Sequence, residues 1–427
     1  MRDPEDPVPS AVSLPVGPHT ARRRGLRQHN LARALRCIAD GDGSVSRADI
    51  SARTSLNRST SSSLVDELIS AGLVREAGAV TRQAVGRPPT SLELLTDGPA
   101  GLGIEVNVDY IAACVVDLTG AARYQHILSR DHRGQTPEEV MCSAAALGAS
   151  AVRIAGGSGL EPYGAALAIA GLVDRNGQRV VLAPNLGWSD VSPMTHVRAT
   201  DLGISRYAPL TIENEANCAA LTERELLRVG ASYLYIYGEI GVGSAIVLNG
   251  QLYRGDDGWS GEIGHLTIEQ DGLACGCGSR GCLEQYAGQE AILRAAGMDI
   301  TAGTSLGVGP TTRLIQERAE AGDPDMLRAL ERAGRALGLV VAFALNLLNI
   351  DRVVFGGIYR DLATYLLPTV QAGARARYAG ARWAPPTIEA ATHGPEAPAL
   401  GAARSVVRRI IDDPSSWMNQ RAGAGRL

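Results

Sequence analysis

The sequence contains no lysine, so every fixed positive side chain is an arginine. Only two phenylalanines occur beside fifty glycines, which points to many tight strand-to-loop turns. No run of about 18 apolar residues is present, which excludes a transmembrane helix and a membrane partner. With 45% hydrophobic and 20% charged residues, the bulk is globular and not disordered. The opening segment is acidic and broken by proline, unlike a secretory signal, so a cytoplasmic location is expected. Seven cysteines are too few to staple 427 residues with disulfides. Three of the seven fall between Cys275 and Cys282, and in a reducing compartment such crowding points to a metal. At roughly 100–200 residues per domain, the length predicts two or three domains.

The formal net charge of −4 hides an asymmetry, because nine Arg and only three Asp lie between Thr20 and Thr60 while the remainder is acidic. A basic segment on an acidic body suggests a polyanion-binding head. Leu31, Leu35 and Ile38 sit at helical spacing, and Gly41-Asp42-Gly43 stops that helix. Ser46 caps a short second helix to Arg53, with Ile50 inward. Leu64, Val65, Leu68 and Ile69 mark the inner face of a third helix that Gly72 ends. A hairpin follows from Val74, with Arg82, Gly86, Arg87, Pro88 and Pro89 at its tip. Three helices and a two-stranded wing match a winged helix-turn-helix spanning residues 20–97. Asn57 would cap the recognition helix, and Arg58, Ser59, Thr60, Ser61 and Ser62 would form its groove-facing start. Arg82 and Arg87 would serve a narrow minor groove. A small helical protein-interaction domain with a solvated basic face is the alternative; helix order, charge and wing chemistry together favour DNA.

Residues 1–19 read as a disordered tail and residues 413–427 as a flexible one. After the punctuation Asp97-Gly98-Pro99, strands and helices alternate with glycine turns, which predicts an α/β body of two lobes. The first lobe spans residues 100–223, completed by a C-terminal helix over 400–411, and the second spans residues 224–395. A strand over Leu210–Glu213 is expected to lead into a helix over Ala216–Val229. No fixed-period repeat is visible.

The strongest chemical signal is His265, Cys275, Cys277 and Cys282. Three thiolates and one imidazole make a closed tetrahedral site of the structural zinc kind, with Gly276, Gly278 and Gly281 letting the backbone curl around the ion. The alternative is an irregular loop that happens to hold three free thiols. Together with Gly261-Glu262-Ile263-Gly264-His265 and Gly281-Cys282-Leu283-Glu284, this phrase resembles the signature of the ROK family of repressors and sugar kinases. Glu213–Asn217, Pro184–Trp188 and Phe355-Gly356-Gly357 resemble further segments of that family. The likeness covers about residues 26–411. It implies an actin-like ATPase fold with a sugar in the cleft between two lobes. The sugar side would comprise Asn185, Asn214, Glu215, Glu262, His265 and Glu284, whose acceptors and donors suit vicinal hydroxyls. Glu262 and Glu284 as ordinary solvated acids is the plain alternative, and packing is the favoured role for Trp188.

The phosphate side departs from the kinase pattern. Glu105-Val106-Asn107-Val108-Asp109 stands where the family's kinases have an Asp-x-Gly-x-Thr turn, so β-branched bulk from Val106 and Val108 is expected there. Glu239 places a negative charge in the second phosphate turn, and Glu215 replaces the catalytic aspartate. The expectation is a sugar-responsive, non-enzymatic repressor, with one structural zinc per chain, operator DNA and a monosaccharide inducer as partners, and a homodimer or higher homo-oligomer as the unit. Xylose is the first guess for the sugar. The alternative is an ATP-dependent sugar kinase carrying a DNA-binding head.

Overall fold

The computed structural model describes residues 18–424 except 42, 80–89, 207, 225–226, 228–229 and 300–306. The residues expected to form the N-terminal tail before Pro18, and the wing tip with Arg82 and Arg87, lie outside the described residues. The chain forms two compact units, one of residues up to Leu94 with residues from Arg409 onward, the other of Leu95–Arg408. Among the described residues no helix is long and apolar enough to cross a membrane.

In the first unit, α1 (Pro18–Ala39), α2 (Arg47–Thr54) and α3 (Arg58–Ser70) pack around Leu31, Leu35, Ile38, Ile50, Leu64, Val65 and Leu68. A capping box starts α2, where the Ser46 side chain accepts from Asp49 N–H and the Asp49 carboxylate accepts from Ser46 N–H. The Asn57 side chain caps α3 by accepting from Thr60 N–H at 2.8 Å. Strands Val74–Ala79 and Thr90–Leu94 form the antiparallel wing, and Val45–Ser46 adds a third strand.

The C-terminal segment differs from the expected flexible tail. Pro414–Ala424 is a helix, with Pro414 in its first turn. Trp417 is buried, and its Nε1 donates to Ala71 O at 3.4 Å, the residue that ends α3. Arg421 Nη1 donates to the same carbonyl at 3.4 Å and its guanidinium lies 5.9 Å from the Trp417 ring. A cation at that end of α3 also matches the helix dipole. Arg36 pairs with Asp412 at 2.7 Å. Among the described residues, Pro414, Ser415 and Trp417 are the buried ones of the helix Pro414–Ala424, too few and too close together to leave a periodic pattern in a sequence.

The second unit holds two five-stranded sheets of the same order. In the first, Gly98–Val106, Tyr110–Asp117 and Ala122–Ser129 form an antiparallel meander; Leu160–Ile169 pairs parallel with Gly98–Val106, and Leu210–Asn214 pairs parallel beyond it. In the second, Tyr233–Gly238, Val242–Leu248 and Gln251–Tyr253 form the meander, and Arg352–Gly357 and Thr387–Ala390 add in parallel. The body is therefore a structural duplication without a sequence repeat. The helix Ala397–Asp412 lies against Gly98–Val106 so closely that a side chain on Gly103 would overlap the Ala399 carbonyl. The helix expected over Ala216–Val229 runs instead from Glu215 to Arg224, and its expected last turns fall partly outside the described residues.

Candidate functional site

An antiparallel bridge between Thr267 and Cys282 brings the last thiol beside His265, which closes the short turn Ile263–His265. Cys275 and Cys277 sit in a tight turn where Cys275 N–H donates to Ser279 O at 2.9 Å and Gly278 N–H to Cys275 O at 3.1 Å. Gly278 and Gly281 take positive φ of 91° and 69°, which L-residues resist, whereas Gly276 has neither positive φ nor a crowded Cβ position. Glycine at 276 is thus not required by the backbone, contrary to expectation. One ligand atom from each of His265, Cys275, Cys277 and Cys282 lies within 4.8 Å of the others. Cys275 Sγ is 3.7 Å from His265 Nδ1, and Cys277 Sγ is 3.7 Å from Cys282 Sγ. A tetrahedron with metal–sulfur bonds of about 2.3 Å has edges of about 3.8 Å, so the set fits a zinc-sized ion. Cys277 N–H also points at Cys275 Sγ, at 3.4 Å, as an outer hydrogen bond to a thiolate ligand would.

This cluster forms one wall of a 440 Å³ cleft, which Asn185, Asn214, Glu215, Glu262, His265 and Glu284 all line. His265 Nδ1 lies on the cysteine side, 3.7 Å from Cys275 Sγ. Asn214 is already anchored, since its Oδ1 accepts from Asn217 N–H at 3.1 Å and its Nδ2 donates to Gly171 O at 3.0 Å. One N–H and one lone pair remain for a ligand hydroxyl. Glu284 Oε1 lies 2.8 Å from Cys275 Sγ, which sets the cleft directly beside the histidine–cysteine cluster. Burial raises the Glu262 carboxyl above its ordinary range. Trp188 is buried in the core of the first sheet's lobe and is a packing residue.

The sequence reading missed Asn107, Gln285, Glu290 and Arg294 as cleft residues, and it treated Glu239 as phosphate-side only. Glu290 and Arg294 stand four apart in the helix Gln289–Ala295, a spacing that puts both on one face. Val106 and Val108 are buried in the lobe's core, so they do not crowd the cleft. The turn between strands Gly98–Val106 and Tyr110–Asp117 places Asn107 on the cleft and Asp109 on a second cavity of 360 Å³ instead.

Glu239 lines both cavities. Asn107 Nδ2 donates to its Oε2 at 2.5 Å, and the Tyr237 and Tyr110 hydroxyls reach its Oε1 at 3.0 and 3.1 Å. The single Tyr110 O–H is shared between Glu239 and Glu105, whose Oε1 is the nearer at 2.5 Å. Burial pushes Glu239 up to about 7 despite these donors. Glu105 and Glu215 are raised well above the carboxylate range, first by burial and then by neighbouring glutamates. All three acids bind protons more tightly folded than unfolded; for Glu239 the stabilising contribution is complete below about pH 4.5 and is lost as pH rises through about 7. Zinc-saturated protein should therefore melt at higher temperature near pH 6 than near pH 8, by about 2 °C or more. Glu239→Gln should shrink that difference; an unchanged profile in differential scanning calorimetry would contradict this.

In the head, Arg58 and Ser59 are exposed at the start of α3 and Thr60 is half-buried. Asn57 is exposed, and its Oδ1 accepts from Ser59 Oγ as well as from Thr60 N–H, both at 2.8 Å. Ser61 is an exception to the expected groove-facing set. It is fully buried, because it lies one turn before Leu64 and Val65 on the core face.

A helix-turn-helix head with an N-capped, arginine-bearing third helix, ahead of a duplicated two-sheet body of the actin-like ATPase fold, defines a transcriptional regulator. Residues 101–409 match the ROK family, and residues 30–78 match the IclR helix-turn-helix domain. The chain belongs to the ROK family. A putative xylose repressor from Caldicellulosiruptor sp. (strain Rt8B.4) is 30% identical over 344 residues, covering 78% of this chain and 83% of that protein. A glucokinase from Streptomyces coelicolor is 29% identical over 318 residues, covering 71% of this chain and 96% of its own. A solved ROK family transcriptional regulator, described as a homologue of the E. coli MLC protein, shares the fold with a TM-score of 0.75 over 92% of this chain and 99% of that one, at 22% identity.

Proposed function

We propose that the protein is a sugar-responsive DNA-binding repressor, in which a monosaccharide in the cleft releases operator DNA. The observation that carries the reading is the cleft itself: five carboxyls, three asparagine amides and an imidazole surround a 440 Å³ space in a chain that also bears a helix-turn-helix. Neutral polyhydroxyl ligands need that mixture of acceptors and donors. The relatives' names, xylose repressor among them, support it, and xylose is the first sugar to test.

One zinc per chain would be held by His265, Cys275, Cys277 and Cys282. It would hold the loop and fix His265 in the tautomer that presents Nε2 to the cleft, with no position open for water. The chain passes between its two units twice, at Leu94–Leu95 and inside the helix Ala397–Asp412. Those two connections are the routes by which the cleft can act on the head. The working unit is a homodimer or larger homo-oligomer in the cytoplasm, since paired half-sites need two recognition helices. A second reading, an ATP-dependent sugar kinase, is favoured by the glucokinase relatives, but Asn107, Asp109 and Glu239 replace the small and hydroxyl donors that phosphates need.

Two variants test this reading in opposite directions. Arg58→Ala should weaken operator binding about 5- to 150-fold, with the sugar-induced rise in melting temperature unchanged. Glu262→Ala should bind operator as the parent does but stay bound when sugar is added. Release of Glu262→Ala at parental sugar concentrations in a gel-shift titration would overturn the cleft assignment.

A further inference from the structure

We infer that Asp109 and Glu239 form a clasp between the two lobes, each carboxyl accepting from the opposite lobe, and that this clasp holds the lobes together across the cleft. The inference concerns the lobes themselves and does not rest on the sugar-sensor reading.

Gly98–Val106 and Tyr110–Asp117 belong to the sheet of the first lobe, and Tyr233–Gly238 and Val242–Leu248 to the sheet of the second. Glu239, in the turn after Tyr233–Gly238, is buried. Its carboxyl accepts from Asn107 Nδ2, which comes from the first lobe, and shares the Tyr110 O–H of that lobe with Glu105. Asp109 makes the reverse crossing. The helix Val308–Glu320 has no side-chain cap from its own N-cap residue, Gly307, and the Val308 N–H donates instead to Asp109 Oδ2. That helix is part of the second lobe, since Ile315 and Ala319 are buried in its core. A carboxylate suits a helix N-terminus, where N–H groups lack partners and the dipole is positive. Gly307 makes room for it: its φ is +89°, and a Cβ there would lie 2.7 Å from Asp109 Oδ2. Ile240, next to Glu239, packs against the core of the first lobe and adds an apolar contact to the crossing. Separating the lobes would leave buried donors and acceptors unpaired on both sides, so the two crossings resist opening together. The lobes are also bridged by Arg254 and Glu213 at 2.6 Å, but the arginine is exposed, and such a pair contributes less.

The test is hydrogen–deuterium exchange of the zinc-loaded full chain in buffer without sugar, so its result is separate from that of any sugar titration. In Asp109→Ala, exchange should quicken about tenfold or more at residues 307–312 and also at residues 237–243 on the other crossing. In Glu239→Ala and in Asn107→Ala, residues 307–312 should quicken in turn, although the bonds removed lie at Glu239. Residues 113–115 and 353–355, inside the two sheets, should exchange as in the parent, which distinguishes opening of the lobes from general loosening. Asp109→Asn should match the parent at residues 307–312, because its amide oxygen still accepts from Val308 N–H. Effects confined to the bonds that each substitution removes would overturn the clasp, and so would equal quickening inside the sheets in all three alanine variants. Asp109→Asn exchanging as fast as Asp109→Ala would overturn the role of the Asp109 oxygen.

Discussion

Replacing Cys277 by serine should lower the metal content from about one zinc per chain to well under one and abolish the response to sugar. Cys277 is the exposed ligand, so the change removes a thiolate without opening a core cavity. Closed four-ligand zinc sites contribute on the order of 10 kcal/mol to the folding of small zinc domains, more than the irregular loop around residues 266–284 could recover from its few bridges. His265 and Glu284 line the cleft while belonging to, or touching, this cluster, so loop disorder should reach the ligand directly. Elemental analysis and sugar-induced melting shifts measure both effects. Cys142→Ser, at another exposed cysteine, should change neither. A Cys277→Ser protein with full zinc and a normal sugar shift would contradict the assignment.

Trp417→Ala should cost the head about 3–5 kcal/mol, the usual penalty for deleting a buried tryptophan side chain. Domains of ordinary size have only about 5–15 kcal/mol in total. The head should then melt separately at much lower temperature, and DNA affinity should fall about 100-fold or more. Deleting the chain from Pro414 onward should have the same effect, because it also removes the Arg421 bond to Ala71. The cleft contains no residue from this segment, so sugar binding should persist. Calorimetry with gel-shift titration measures both properties. Unchanged DNA binding in the truncated chain would show that the last helix is dispensable.

The legible features were those in which chemistry is local in the chain. The cap at Asn57, the stop after Ile38 and the spacing from His265 to Cys282 each depend on neighbours within about twenty residues, and the structure brings those residues together. The cleft motifs were legible because Glu262 and Glu284 stand next in sequence to the histidine–cysteine cluster. Features set by distant partners were not legible. Trp417 gains its meaning from Ala71, some 346 positions away. Val106 and Val108 turn into the lobe's core because the packing of the strand end and of the turn after it, not residue type, decides which side chain faces the cleft. Ser61 was misread for the same reason on a helix: its hydroxyl suggested a groove contact, but its register with Leu64 and Val65 put it inside. The duplicated sheet order left no repeat because the two halves fill different cores with different residues.

The most direct test of the central claim is a gel-shift titration of zinc-loaded protein on an operator selected from random duplexes, with and without a monosaccharide that binds the cleft, beginning with D-xylose. A coupling of about 1–3 kcal/mol between cleft and head predicts that saturating sugar weakens DNA binding roughly 5- to 150-fold. By reciprocity, operator DNA should weaken sugar binding by the same factor. Sugar that binds the cleft yet leaves the operator affinity unchanged would contradict the account, because ligand site and DNA-binding head would then be energetically independent.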